Sequence, residues 1–222
     1  MIKAILLDVF DTVLMSRNKY ESPYTYILKQ LNFDNVLQTL RQDRILLLEK
    51  ETDFAQYLDK HAPQEMPQNC RDKILSGARE LFKRHRNDIS VRTNWWGFNT
   101  IAEHYELKVA MASNLASPYT QIVDEKLADV SHKFYSCAMG LSKPHPKFFQ
   151  QACDVLQVAP QEVVMIGNSF SSDMQGAQLA GLGAALWLPT ADTKNPASET
   201  VHRINDLMDV FPTLRQQGLL PS

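Results

Sequence analysis

Ile5, Leu6 and Leu7 form an uninterrupted apolar run near the start of the chain, and the run stops at Asp8. Consecutive apolar side chains of this kind suit a strand covered on both faces, as at the centre of a parallel sheet. A carboxylate where such a strand ends falls at the crevice in which open α/β sheets bind ligands. Taken alone, the stretch also fits an ordinary turn in which Asp8 and Asp11 bond nearby backbone amides.

Three further pieces follow in order: V-A-M-A-S-N at 109–114, S-K-P-H-P at 142–146 and V-V-M-I-G-N-S-F-S-S-D at 163–173. Three of the four end an apolar run with a small or polar residue, at Asp8, at Ser113, and at Gly167 with Asn168. In a parallel sheet those ends share one edge, so residues distant in sequence meet. Lys143 reaches that edge from a loop, ahead of a helix whose first position is Pro146. His145, between two prolines, reads as a turn residue near the site.

From residue 94 onward the pattern alternates. Helices are expected over 95–105, 118–127 (with Ser117 as N-cap), 147–156, 176–180 and 201–211, and strands over 108–112, 134–137, 163–166 and 184–188. With the first run these make five strands, a parallel sheet with helices on both faces. A loop is expected over 190–196. Between the first strand and this region, apolar residues recur at helical spacing through Tyr24, Ile27 and Leu28, then Val36 to Leu48, then Phe54 and Leu58, then Ile74 to Phe82. That gives four amphipathic helices without a strand. The division is a core over 1–15 and 91–222 and a helical unit over 16–90.

Of 222 residues, 44% are hydrophobic and 22% charged, which suits one globular core with an insert. A net charge of -2 gives no general attraction to nucleic acid or an anionic membrane. The basic run Lys83-Arg84-His85-Arg86 falls at an expected helix end, where cations suit the helix dipole, so it reads as a solvated face. Trp95 and Trp96 read as packing residues. Cys70, Cys137 and Cys153 show no C-x-x-C spacing, so neither a disulfide framework nor a zinc site is indicated. Lys3 and Asp8 leave the first run too short for a signal peptide, and no stretch is long enough for a spanning helix. A cytoplasmic protein is expected.

The four pieces, in this order, resemble the four motifs of the haloacid dehalogenase superfamily, and the resemblance covers most of the chain. It implies a Rossmann-like core with a helical cap, of the type inserted after the first strand, closing over Asp8. It makes Asp8 the nucleophile that forms a covalent aspartyl intermediate, Ser113 a donor to the transferred group and Lys143 the cation that neutralises Asp8 and substrate. Asp173 is then the acid that orients Lys143 or assists a metal. Thr12, Asn114 and Arg41 match substrate-binding positions. Mg²⁺ would draw on Asp8, the backbone carbonyl of Phe10, Asn168 and Asp173.

Two departures bear on the subclass. Phosphatases of the superfamily carry an acid two residues after the nucleophile, and here that place is Phe10, which has no proton to give. Asp11, one residue on, reaches the same side only if the loop turns. Asn168 stands where a metal-binding aspartate is expected, and an amide is a weaker Mg²⁺ ligand than a carboxylate. Dehalogenases need neither feature, because halide leaves without a proton, but the length of G-N-S-F-S-S-D is phosphatase-like. The expected activity is a phosphatase of a small soluble phosphate ester with Mg²⁺ at a weakened site. The alternatives are a metal-free 2-haloacid dehalogenase and a non-catalytic binding protein. The expected partner is a small molecule, with no nucleic acid or membrane, and the chain a monomer or homodimer.

Overall fold

The computed structural model describes residues 1–190 and 201–221, so most of the loop expected over 190–196 lies outside the described residues. Strand β1 (Ala4–Leu7) is buried at every position. Its side chains alternate as a strand requires. Ile5 and Leu7 join one hydrophobic layer with Trp95, Phe98 and Phe211, and Ala4 and Leu6 join the other with Phe148, Phe149 and Met165.

After β1 the chain forms β2 (Leu14–Ser16) and then helices α1 (Pro23–Gln30), α2 (Val36–Gln42), α3 (Arg44–Glu49), α4 (Phe54–His61) and α5 (Gln68–Asp88). Strand β3 (Ile89–Val91) returns antiparallel to β2. The insert therefore holds five helices, not four, and its two ends are joined by a ribbon that the helical pattern had hidden. The extra break falls at Asp43, within the stretch read as one helix. Asp43 is 4% exposed and accepts hydrogen bonds from Tyr57 Oη at 2.8 Å, from Lys60 Nζ, and from His61 Nε2 at 2.7 Å. Burial acts against the charge, but these bonds outweigh it and hold the carboxyl below its ordinary value. The chain bends there to bring α4 its acceptor.

The core continues with α6 (Trp95–His104), β4 (Lys108–Ser113), α7 (Thr120–Lys126), β5 (His132–Tyr135), α8 (Ser136–Met139), α9 (Pro146–Leu156), β6 (Val163–Gly167), α10 (Gln175–Leu179), β7 (Ala184–Trp187), β8 (Val201–Arg203) and α11 (Val210–Gln216). The sheet has six strands in the order β5-β4-β1-β6-β7-β8, all paired in parallel. The sixth, β8, occupies the start of the expected last helix, which begins only at Val210. Ser117 is not an N-cap: it opens a single 3-10 turn, and no side chain caps α7. The strand expected over 134–137 ends at Tyr135, and Cys137 is helical. Trp95 is fully buried against Phe98, but Trp96 is 62% exposed and so does not pack. No helix of the described residues is long and apolar enough to cross a membrane.

Candidate active site

Leu7 pairs with Met111 of β4 on one side and with Ile166 of β6 on the other. The carboxyl ends of the three strands therefore lie together, where the sheet order reverses. Asp8 N donates to Ile166 O at 2.9 Å, which fixes the first residue past β1. Lys143 arrives from the loop between α8 and α9. Its Nζ lies 2.8 Å from Asp8 Oδ1, 2.6 Å from Asp173 Oδ1 and 2.6 Å from the carbonyl oxygen of Ala112. Three acceptors match the three donors of an ammonium.

This ion triad is nearly dry, with Lys143 1% and Asp173 0% exposed. Burial alone would push the Lys143 ammonium down, but the charges of Asp173 and Asp8 outweigh it and raise its value. Burial pushes Asp173 up to about 6, opposed by Lys143 and reinforced by Asp8. Asp173 sits in one π-helical turn (Phe170–Met174), and its Oδ2 accepts from Ser169 N at 2.9 Å. Such turns recur at functional sites because they re-aim one side chain. Only a glycine fits at 167, since a Cβ there would overlap the Asp173 carboxylate.

The other expected positions divide. Ser113 ends β4, is 2% exposed, and its hydroxyl makes no hydrogen bond among the described residues, which leaves it uncommitted. Asn114 holds the lysine loop: its Nδ2 donates to Lys143 O at 2.7 Å, and its Oδ1 accepts from Lys143 N at 2.8 Å. It also lines the cavity described below, so this positioning role stands beside the expected contact with substrate. Thr12 is fully buried, with Oγ1 3.5 Å from Asp8 Oδ2, so it backs the Asp8 turn and does not face solvent. Arg41 is exposed on α2 and lines none of the cavity described below, so the structure does not bring it to the site. His145 caps α9, its Nδ1 accepting from Lys147 N at 3.2 Å.

For a Mg²⁺ ion, the two Asp173 oxygens each accept one hydrogen bond, from Lys143 Nζ and Ser169 N, so it could add a ligand only through its remaining lone pairs. The other expected donors are Asp8, the Phe10 carbonyl, which accepts no hydrogen bond among the described residues, and the Asn168 amide. With an amide at 168 this set fits Mg²⁺ more weakly than one with a carboxylate there, because the ion relies on charge and on substrate phosphate to complete its shell. No group of three acidic, His or Cys side chains that would hold a metal occurs among the described residues.

Beside the triad lies a cavity of about 740 Å³ between the sheet edge and the insert. Phe10 and Asp11 from the Asp8 turn, and Asn114 and Leu115 from the end of β4, form part of its wall. The turn is tight: Val9 O accepts from the amides of Val13 and Leu14, both at 2.8 Å, and Asp11 has φ 63. Asp11 thereby reaches the cavity. The insert contributes Arg17, Lys19, Tyr20 and His85, none of which was singled out as a site residue. For His85 a signal existed: Ile74, Ala78, Phe82 and His85 continue one helical stripe, so the imidazole turns inward while Arg84 and Arg86 pair with Glu80 and Glu125.

The Arg17 loop is held by Asp88. This carboxylate accepts from Ser16 Oγ (2.8 Å), Arg17 N (2.8 Å), Asn18 N (2.9 Å) and Asn18 Nδ2 (2.8 Å). The backbone bond from Asn18, with the others, lowers its pKa to about 2 from 3.8. The clasp therefore stands above pH 3.8 and is lost as pH falls through about 2. Asp88→Ala is expected to speed hydrogen exchange of the Arg17 and Asn18 amides by about tenfold or more at neutral pH, because their acceptor is gone. Unchanged exchange would show that the loop is held by something else.

A family model of haloacid dehalogenase-like hydrolases matches residues 2–181. The phosphoserine phosphatase of Thermus thermophilus is 31% identical over 139 residues, 60% of this chain and 54% of that protein. The N-acylneuraminate-9-phosphatase of Rattus norvegicus is 44% identical over 46 residues, 21% of this chain and 18% of that one. The chain thus spans about half, or less, of the length of these curated relatives. Among solved structures, a 2-haloacid dehalogenase from Pseudomonas syringae pv. Tomato DC3000 superposes with TM-score 0.70 at 17% identity, covering 98% of this chain and 100% of that one. A HAD phosphatase from Thermococcus onnurineus gives TM-score 0.63 at 19% identity, covering 96% and 98%. At such identities the superpositions establish the fold alone. The family match over most of the chain, on a fold that brings Asp8, Ser113, Lys143 and Asp173 to one sheet edge, places the protein among the haloacid dehalogenase-like hydrolases.

Proposed function

We propose that this chain is a phosphatase of small soluble phosphate esters that uses Asp8 as nucleophile. The observation that carries the reading is the bond from Lys143 Nζ to Asp8 Oδ1, which leaves Oδ2 as the attacking oxygen beside a fixed positive charge. Asp8 attacks phosphorus, the ester P–O bond breaks, and the alcohol leaves with a proton. Water then cleaves the aspartyl phosphate and restores the carboxylate. Ser113 donates to a phosphoryl oxygen as negative charge develops, and Lys143 offsets it. Mg²⁺, when held by Asp8, the Phe10 carbonyl and Asn168, would supply further charge to the phosphoryl oxygens. Asp11, which the turn delivers to the cavity wall, takes the acid role that Phe10 cannot. The helical insert over 16–90 acts as the cap, docked on the lysine loop through Ser142 Oγ and Glu49 Oε1 at 2.6 Å. A cytoplasmic setting and a monomer or homodimer complete the proposal.

One observation favours a second reading. Phe10 stands in the cavity wall where a proton donor would, which suits a metal-free dehalogenase, since halide needs no proton. A panel of phosphate esters and 2-haloacids, assayed with Mg²⁺ and with chelator, separates the two. Hydrolysis of haloacids alone, in chelator, would reject the phosphatase.

The departures give a sharper expectation. Phe10→Asp should raise phosphatase kcat by about tenfold, by placing an acid nearer the leaving oxygen than Asp11. Asn168→Asp should tighten Mg²⁺ binding, since a carboxylate replaces a neutral amide. If the double variant is no faster than wild type, and Mg²⁺ binding by calorimetry is unmoved, the assignment of these two positions is wrong.

A further inference from the structure

We propose that the cavity beside Asp8 selects phosphate esters whose leaving group combines a flat aromatic ring with a second anionic group. The inference rests on the phosphatase reading and names its substrate class. Size is the first ground. A volume of about 740 Å³ is in the range that encloses a ligand of several ring-sized pieces, whereas a two- or three-carbon ester would leave most of it to water.

The wall supplies the second ground. Phe10, Tyr20, His85 and Tyr119 form one connected aromatic surface. Ring centroids are 5.9 Å apart for Phe10 and Tyr119, 5.7 Å for His85 and Tyr119, and 5.5 Å for Tyr20 and His85. Neighbouring rings meet edge to face or tilted, a geometry into which a further ring packs with favourable quadrupole contacts. Tyr119 stays a neutral phenol, its pKa pushed up to about 12 by burial. A flexible polar chain would gain nothing from such a wall.

Charge is the third. Arg17 and Lys19 both line the cavity, and neither forms an ion pair among the described residues, whereas Asp11 is the only carboxylate in the wall. Among the wall residues two cations thus stand against one carboxylate, and Asp88, behind the loop, is occupied by Ser16, Arg17 and Asn18. The Asp88 clasp fixes the backbone of Arg17 and Asn18, so the cationic loop is presented in a set place and not left to wander. A guanidinium and an ammonium carried on this held backbone, beside apolar surface, recognise a carboxylate or a second phosphate. The transferred phosphate is already provided for by Lys143 and Ser113, which leaves this second pair of cations for the far end of the leaving group.

The test uses four esters of primary alcohols, so that intrinsic reactivity is similar: ethyl, 2-carboxyethyl, benzyl and 4-carboxybenzyl phosphate, each with Mg²⁺. We expect kcat/KM to be highest for 4-carboxybenzyl phosphate, about tenfold or more above both benzyl and 2-carboxyethyl phosphate. In Arg17→Gln/Lys19→Gln the ratio of 4-carboxybenzyl to benzyl should fall about tenfold, and in Tyr119→Leu the ratio of benzyl to ethyl should fall similarly. A second arm titrates 4-(hydroxymethyl)benzoate, the leaving group alone, into wild type and the double variant by calorimetry. Equal kcat/KM for all four esters would overturn the substrate class while the phosphatase stands. Hydrolysis of none, with benzoate binding weakened by the double substitution, would reject the phosphatase and keep the cavity's ligand class. Neither discrimination nor binding would overturn the inference.

Discussion

Asp8→Asn is expected to lower hydrolysis by about 10⁴-fold or more, because an amide cannot form the covalent intermediate on which both half-reactions depend. The fold should survive. Asparagine has nearly the same size, and its oxygen can still accept from Lys143 Nζ, which lies 2.8 Å from Asp8 Oδ1 in the native chain. Loss of activity with an unshifted thermal midpoint is therefore the expected signature, and wild type quenched during turnover should carry a phosphoryl mass on the peptide containing Asp8. Retention of full activity would place the nucleophile elsewhere. A cleaved ester with no mass adduct on that peptide, under conditions that preserve acyl phosphates, would argue for direct attack by water.

Asp8 was legible because the centre of a parallel sheet leaves an unusual trace. Both faces of β1 are covered, so its residues form an unbroken apolar run, and the first charged residue after it marks the strand end. The same trace marked Ser113 and Gly167. Lys143 needed the motif, because a lysine before a proline carries no sign of burial, yet it is 1% exposed. The sixth strand was missed because its three residues are half-buried or exposed at the sheet edge and carry no strong strand pattern. Local propensity cannot see a pairing whose partner, β7, lies across a long connection.

The cavity was the least legible part. Arg41 matched the family pattern but lies exposed on α2, while Arg17 and Lys19, in a loop with no helical period, supply the cations. Which face of an insert turns inward depends on how its helices dock. Here Tyr24, Phe54 and Tyr57 pack with centroids 5.0 and 5.2 Å apart, and the same cluster takes in Ala116 and Tyr119 from the core. Such contacts are set by tertiary packing, so a one-dimensional pattern names the helices without naming what they show to the site.

Lys143→Met is expected to destabilise the fold by about 3–5 kcal/mol, because it removes the one cation from between two buried carboxylates. Methionine fills the volume, so the loss reports charge and not a void. The pH dependence gives the signature. The Asp173 value in the folded chain is raised to about 6 from 3.8, so its share of stability is full below pH 3.8 and is lost as pH rises through about 6. Without the ammonium that upper edge moves higher still, since Lys143 is what opposes the effect of burial. The Lys143 value is also raised above 10.5, so the lysine itself changes nothing between pH 5 and 8. The variant should therefore fall further behind wild type at pH 8 than at pH 5, as read from denaturant unfolding at each pH. Adding Asp173→Asn should recover part of the loss at pH 8, because the amide removes one of the two unpaired charges, and the two substitutions will not add. An equal deficit at both pH values, or strict additivity in the double variant, would mean that Lys143 and Asp173 are not the coupled pair that the 2.6 Å contact describes.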